Sequence, residues 1–230
     1  MLGDHVVVAS SHEHHQQIRS STLFGGADVR RILMSVDHLL FGGFEASRGE
    51  LRDRYGLSGS RVVLLRSSSE PRKGCDLFVE AVRWFAENDP AALDKLAIVA
   101  IGDQYVAECL KDCEVRLLSP GYIADEAELA RLYAAADVFV NTSLADGGPV
   151  MLAQALMSGT PVITTDVGLA RDLVAPPSNG RILALPAAAD LVMAMVEFCG
   201  LDEDSLRAMR VQAREMAVER LGKEGYMKEL

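Results

Sequence analysis

Hydrophobic residues follow two alternating patterns along this chain: short continuous runs, and longer stretches with an apolar residue at every third or fourth position. The runs "RVVLL", "LAIVAI", "DVFV" and "PVITT" are, past a leading Arg or Asp, continuously apolar or β-branched, as expected of strands covered by helices on both sides. Strands are predicted over residues 5–9, 29–34, 61–65, 96–101, 115–118, 138–141, 162–164 and 181–183. Helical spacing fills most of the intervals, over 11–23, 47–55, 74–87, 104–112, 126–135, 149–157, 169–174 and 187–199, and a last helix runs over 205–220 into a charged tail. Strand and helix in repeated alternation predict an α/β fold with a doubly wound parallel, Rossmann-like sheet. Ligands of such sheets bind beyond the carboxyl ends of the strands, which directs attention to the loops that follow them.

Composition narrows the function classes. With 49% hydrophobic and 24% charged residues in 230, the chain has enough apolar material for a packed core. A net charge of -10 argues against nucleic acid or a membrane surface as a partner, since both call for a broad basic patch. An anionic ligand must therefore be gripped locally. No stretch reaches the ~18 apolar residues of a membrane span. The opening "MLGDHVVVASSHEHH" lacks the basic start and apolar run of a secretory signal, so a cytoplasmic location is expected. Cys75, Cys109, Cys113 and Cys199 form no CxxC pair and are read as reduced and packed. His12, His14 and His15 in "SHEHHQQI" have one carboxylate, Glu13, beside them, which suits a solvated helix start better than a metal centre. No metal site is expected.

Three loops carry unusual chemistry. "LLRSSSEPRKG" sets Arg66, three serines, Arg72 and Lys73 ahead of Gly74 and a helix, where a helix N-terminus and charge-assisted contacts favour an anion. The alternative is a solvated turn. In "NTSLADGGPVMLAQAL", Pro149 fits the first helical position, and Gly147 and Gly148 lack a Cβ, leaving room for a ligand at their backbone N–H groups. Asp146 breaks that logic, because a carboxylate repels phosphate. It is expected to face a sugar hydroxyl, a developing cation or the helix start itself. Gln154, eight residues on, both donates and accepts, which suits hydroxyl recognition. In "SPGYIADEAEL", Tyr122 and Ile123 are placed either to stack on a planar base or to pack in the core.

The ordered series "RKGCDLFVEAV", "VAIGD", "AELARLYAAADVFVNTSLADGGPVMLAQALMSGTPVITTDVGLARDLV" and "NGRIL" resembles the carboxyl-terminal domain of retaining glycosyltransferases of the two-domain GT-B architecture, family 4. "VVVASSHEHHQQI" followed by "ADVRRILMSVDHLLF" is similar to the family's last amino-domain segment and linker. This resemblance implies a remnant of the first domain over 1–36, a nucleotide-sugar-binding Rossmann-like domain over 37–204, and a carboxyl-terminal helix and tail over 205–230.

By the same resemblance, Lys73, aided by Arg66 or Arg72, binds the donor diphosphate together with Gly147 and Gly148. Asp146 takes the first of the family's two acid positions, near the transferred sugar, and is the expected catalytic residue. Gln154 takes the second, on the ribose, with Val150 and Met151 lining the ribose or sugar. Tyr122 and Ile123 fall where the base is cradled. Asp in place of Glu shortens the first acid by one methylene. An amide in the second place loses a charge-assisted bond, about 1 kcal/mol, and implies weaker donor binding.

No cofactor or metal is implied beyond the nucleotide-diphosphate sugar, which is the donor substrate. The amino-terminal domain that holds the acceptor in this family is represented by its last strand and helix alone. The expected protein is thus the donor-binding half of a glycosyltransferase, weakly active or inactive by itself, with a nucleotide-binding module or interaction protein as the alternative. Its expected partners are an acceptor domain in trans, or a second copy through the final helix, whose stripe Leu206, Met209, Ala213 and Met216 is expected to be bare; membrane contact would come through the absent half.

Overall fold

Val62 and Leu64 point to one side of a strand, Val63 and Leu65 to the other, and all four are buried. That two-sided burial organises the molecule, whose computed structural model describes residues 6–24, 26–42 and 45–223. Six parallel strands form the main sheet: β3 (Arg61–Ser67), β4 (Leu96–Gly102), β5 (Arg116–Gly121), β6 (Val138–Asn141), β7 (Val162–Thr164) and β8 (Gly180–Ile182). Their order is β5-β4-β3-β6-β7-β8, so the winding reverses between β3 and β6. β3 runs two residues past its apolar run, because Arg66 and Ser67 remain in register with Ile101 and Gly102 of β4. The ladder depends on backbone groups and tolerates a polar side chain at its end.

Helices α3 (Cys75–Asn88), α4 (Pro90–Leu93), α5 (Tyr105–Cys109) and α9 (Ala188–Cys199) cover one face around Phe78, Phe85 and Phe198. The other face carries α2 (Arg48–Arg54), α6 (Glu126–Ala135), α7 (Val150–Met157), α8 (Ala170–Leu173) and α10 (Glu203–Leu221) around Tyr133, Phe139 and Leu156. Asp137, 1% exposed, takes hydrogen bonds from Arg48, Arg52 and the backbone N–H of Val62. These bonds fix α2 to the start of β6.

The expected bare stripe on the last helix is corrected here. Leu206, Ala213 and Ala217 are buried inside the chain's own core, Met209 and Met216 are half-buried, and α10 packs on α7. The expected stripe is thus largely covered, while Val211 and Val218, elsewhere on α10, stay exposed. The predicted tail over 224–230 lies outside them, as does residue 5 of the first predicted strand.

A second sheet has two parallel strands, β1 (Val6–Ala9) and β2 (Asp28–Arg31), joined through α1 (His12–Ser20). Ser11 caps α1 by accepting from the His14 N–H, and none of the residues in α1 is buried. The start of α1 rests against the main domain: the His12 N–H and Arg31 both bind Asp172 of α8.

Candidate functional site

Where the winding reverses, the loop after β3 leaves for one face of the sheet and the loop after β6 for the other. A cleft opens between them, as it must in a doubly wound sheet. Its floor is the end of β6, Phe139 to Asn141, followed by Thr142 and Ser143; its walls include Arg66, Lys73, Asp146, Gly148, Pro149, Val150 and Met151. The opening measures about 160 Å³.

Lys73 ends a 3-10 turn over Pro71–Lys73. Gly74 follows in the left-handed region at φ +60°, with the site of a Cβ 2.2 Å from the Thr142 carbonyl oxygen, so only glycine fits between the two loops. Further bonds tie these loops: Leu144 N–H and Ala145 N–H donate to the Arg72 carbonyl, and Thr142 Oγ1 donates to that of Lys73. Lys73 Nζ lies 2.6 Å from Asp146 Oδ2, in an ion pair whose side chains are 10% and 13% exposed. The other carboxylate oxygen, Oδ1, accepts from the Gly148 N–H at 3.2 Å. Arg66 is exposed, and among the described residues its guanidinium has no hydrogen-bond or ion-pair partner. Pro149 has no N–H, and the N–H groups of Val150 and Met151 find no acceptor among the described residues. The cleft thus offers one committed ammonium, one free guanidinium and two free backbone donors at a helix start, an arrangement suited to an anion.

The other expected site features are placed as follows. Of the two helix starts, only that of α7 faces the cleft. Gly74 turns α3 aside, burying Cys75 and bringing Asp76 against Tyr105. Arg72 is exposed, pairs with Glu70 and does not line the cleft. Ser67 and Ser69 turn toward Asp103, whose carboxyl is held below its ordinary range: burial opposes this, but the Ser69 and Tyr105 N–H groups outweigh it. Gln154 is half-buried in α7, outside the cleft lining, with no side-chain hydrogen bond among the described residues. Tyr122, 85% exposed, and Ile123, packed against the core, follow β5, which β4 separates from β3.

The glycine pair is also used differently from the expectation. A Cβ on Gly147 would lie 3.0 Å from the His14 ring, and one on Gly148 would lie 3.2 Å from Ser10 Oγ. The space their missing side chains leave is filled by the start of α1. The polar floor, Asn141 to Ser143, is not among the expected site residues; its signal is three polar residues in a row that begin on the last residue of an otherwise apolar strand. Among the described residues no cluster of three or more His, Cys, Asp or Glu is placed to hold a metal ion, and no helix is long and apolar enough to cross a membrane.

The phosphatidyl-myo-inositol mannosyltransferase of Mycolicibacterium smegmatis is 28% identical over 187 residues, covering 80% of this chain and 45% of its own length. The GDP-mannose-dependent alpha-(1-6)-phosphatidylinositol monomannoside mannosyltransferase of Mycobacterium tuberculosis is 28% identical over 231 residues, covering 93% of this chain and 58% of its own. Among solved structures, Anabaena HepE in complex with UDP and glucose matches with a TM-score of 0.79 at 20% identity, over 97% of this chain and 61% of that one. The chain thus spans about half the length of the curated relatives it matches. The family model for glycosyl transferases group 1 matches residues 60–200, more than half of the chain, a span that holds the six-stranded parallel sheet. The chain belongs to the glycosyl transferases group 1, with the Rossmann-like sheet of their GT-B fold.

Proposed function

We propose that this chain is the donor-binding half of a retaining glycosyltransferase, taking a nucleotide-diphosphate sugar into the cleft between β3 and β6. The observation that carries this reading is the convergence of Lys73, Arg66 and the unpaired N–H groups of Val150 and Met151 on one cleft at the winding reversal. The GDP-mannose dependence in one relative's name and the UDP and glucose bound to HepE support a nucleotide sugar as the ligand.

In this reading the diphosphate lies against Arg66, Lys73 and the α7 start, with Gly148 beside it. The sugar lies toward Asp146, the ribose toward Val150, Met151 and Gln154, and the base toward Tyr122 and Ile123. As the bond from the anomeric carbon to the diphosphate oxygen breaks, its electron pair leaves with the diphosphate, where the two cations and the helix start stabilise the growing charge. Asp146 stabilises the positive charge left on the sugar. The acceptor oxygen bonds to the anomeric carbon on the face the diphosphate has left, and its proton passes to a diphosphate oxygen. No metal is required in this scheme, because protein cations meet the diphosphate charge. The acceptor is held by a further domain. A second reading, nucleotide binding without turnover, is favoured by Gln154, which carries an amide and lies outside the cleft lining.

Thermal unfolding with UDP, GDP, UDP-glucose and GDP-mannose tests the donor site. At a hundredfold excess over Kd, the matching ligand is expected to raise Tm by about 5–10 °C. Lys73→Ala is expected to abolish most of that shift relative to its own ligand-free Tm. No shift with any of the four refutes the reading. Release of the nucleoside diphosphate on adding an acceptor and an acceptor domain separates transfer from binding alone.

A further inference from the structure

We infer that Ser10 and Ser11, at the start of α1, are positioning residues that set the Asp146 carboxylate by gripping a single peptide group in the loop before α7. This inference rests on the donor-site reading above. Ser10 Oγ donates to the Gly147 carbonyl oxygen at 3.0 Å, and Ser11 Oγ donates to the same oxygen at 3.3 Å. A trans peptide points its N–H opposite to its C=O. Holding the Gly147 oxygen toward α1 therefore turns the Gly148 N–H away from α1, and that N–H is the donor to Asp146 Oδ1. Glycine on both sides leaves this peptide few steric barriers to rotation, so its orientation depends on an outside partner.

Proton counting supports the direction of these bonds. A carbonyl only accepts, so Ser10 spends its one hydroxyl hydrogen on Gly147. The 3.4 Å contact between Ser10 Oγ and His14 Nδ1 then requires a hydrogen on Nδ1, which Ser10 accepts. Ser11 also takes the His14 N–H as the cap of α1, so the helix start and the grip on Gly147 form one unit. A neighbouring contact closes the seat: Glu13 Oε2 accepts from the Gly168 N–H, and Gly168, at φ +56°, abuts the Asp146 to Pro149 turn. The β1–α1–β2 unit thereby reaches the donor cleft through the backbone, without itself lining it.

Ser10→Ala tests this with little risk to the fold, since Ser10 is half-exposed and caps no helix. The full chain is titrated with UDP-glucose and UDP, and with GDP-mannose and GDP. Asp146 faces the sugar and the cations face the diphosphate, so the variant is expected to lower the ratio of nucleotide-sugar to diphosphate affinity about threefold to tenfold. Affinity for the diphosphate alone stays within about twofold. Ser10→Thr, which keeps the hydroxyl, is expected to restore the ratio. A general loss of stability would weaken both ligands together and would not be rescued in this pattern. If the wild-type chain binds these ligands and Ser10→Ala leaves the ratio unchanged, the positioning role is refuted while the donor site stands. If the wild-type chain binds none of the four, the donor-site reading falls and this inference with it.

Discussion

Replacing Asp146 by asparagine sets two effects of opposite sign against each other. The Asp146 carboxylate faces the cleft 2.6 Å from Lys73 Nζ. A phosphate oxygen bound on the far side of that ammonium lies about 5 Å from the carboxylate. Two unit charges at that distance repel by about 0.8 kcal/mol in water and about 3 kcal/mol at an effective dielectric constant of 20. The cleft is open on one side, which places the repulsion near 1.4 kcal/mol, about tenfold in affinity. Asp146→Asn is therefore expected to bind UDP or GDP about tenfold more tightly than wild type. The same substitution takes the anion from an ion pair whose side chains are 10% and 13% exposed, so the ligand-free Tm falls by about 2–8 °C. Isothermal titration at about 0.05 and 0.5 M salt reads the first effect, and screening is expected to shrink the gain at the higher salt. Calorimetric unfolding reads the second. Weaker diphosphate binding by the asparagine variant would refute the placement of phosphate against Lys73, because the charge removed would then not have opposed it.

Two further substitutions probe the scaffold. Gly74→Ala places a Cβ 2.2 Å from the Thr142 oxygen at φ +60° and is expected to cost about 3 kcal/mol, lowering Tm by about 6–12 °C; a change under about 1 kcal/mol would show that the two loops part easily. Glu128 is held below its ordinary pKa of 4.5 by the hydrogen bond from Tyr55, whose hydroxyl burial and Glu128 push up to about 12. A depressed folded value gives stability that is fully present above 4.5 and is lost as pH falls through the folded value. Tyr55→Phe is thus expected to be less stable than wild type at pH 7, with the gap closing toward pH 3 in urea unfolding; a gap constant with pH would assign it to packing.

Where burial alone determines an element, the sequence was enough to locate it. β6, β7 and α6 match their predicted spans to the residue, because the centres of "DVFV" and "PVITT" are apolar and Asp125 caps α6 on the Ala127 N–H. Elements set by one local bond were missed. α4 is four residues long, starts on Pro90 and depends on Asp89 accepting from the Ala92 N–H. The site was legible as a set of loops, since Lys73 and Asp146 each follow an apolar strand. Their pairing was not, because it joins residues 73 apart through the strand order. Gln154, four residues after Val150 and three after Met151, shares their face of α7 but sits about one turn further along the helix, outside the lining those two residues form. The glycine pair was read as room for a ligand because sequence does not reveal which neighbour occupies the space a missing Cβ leaves.

Three hydrogen bonds, from Thr142, Leu144 and Ala145, and the close approach at Gly74 bind the loop after β3 to the loop after β6 before any ligand arrives. Lys73 and Asp146 consequently hang from one stitched frame, and their spacing is decided when the chain folds. A ligand meets a socket already cast, so little order has to be created on its entry. On the donor-site proposal, selectivity among sugars is then a matter of shape against a fixed wall.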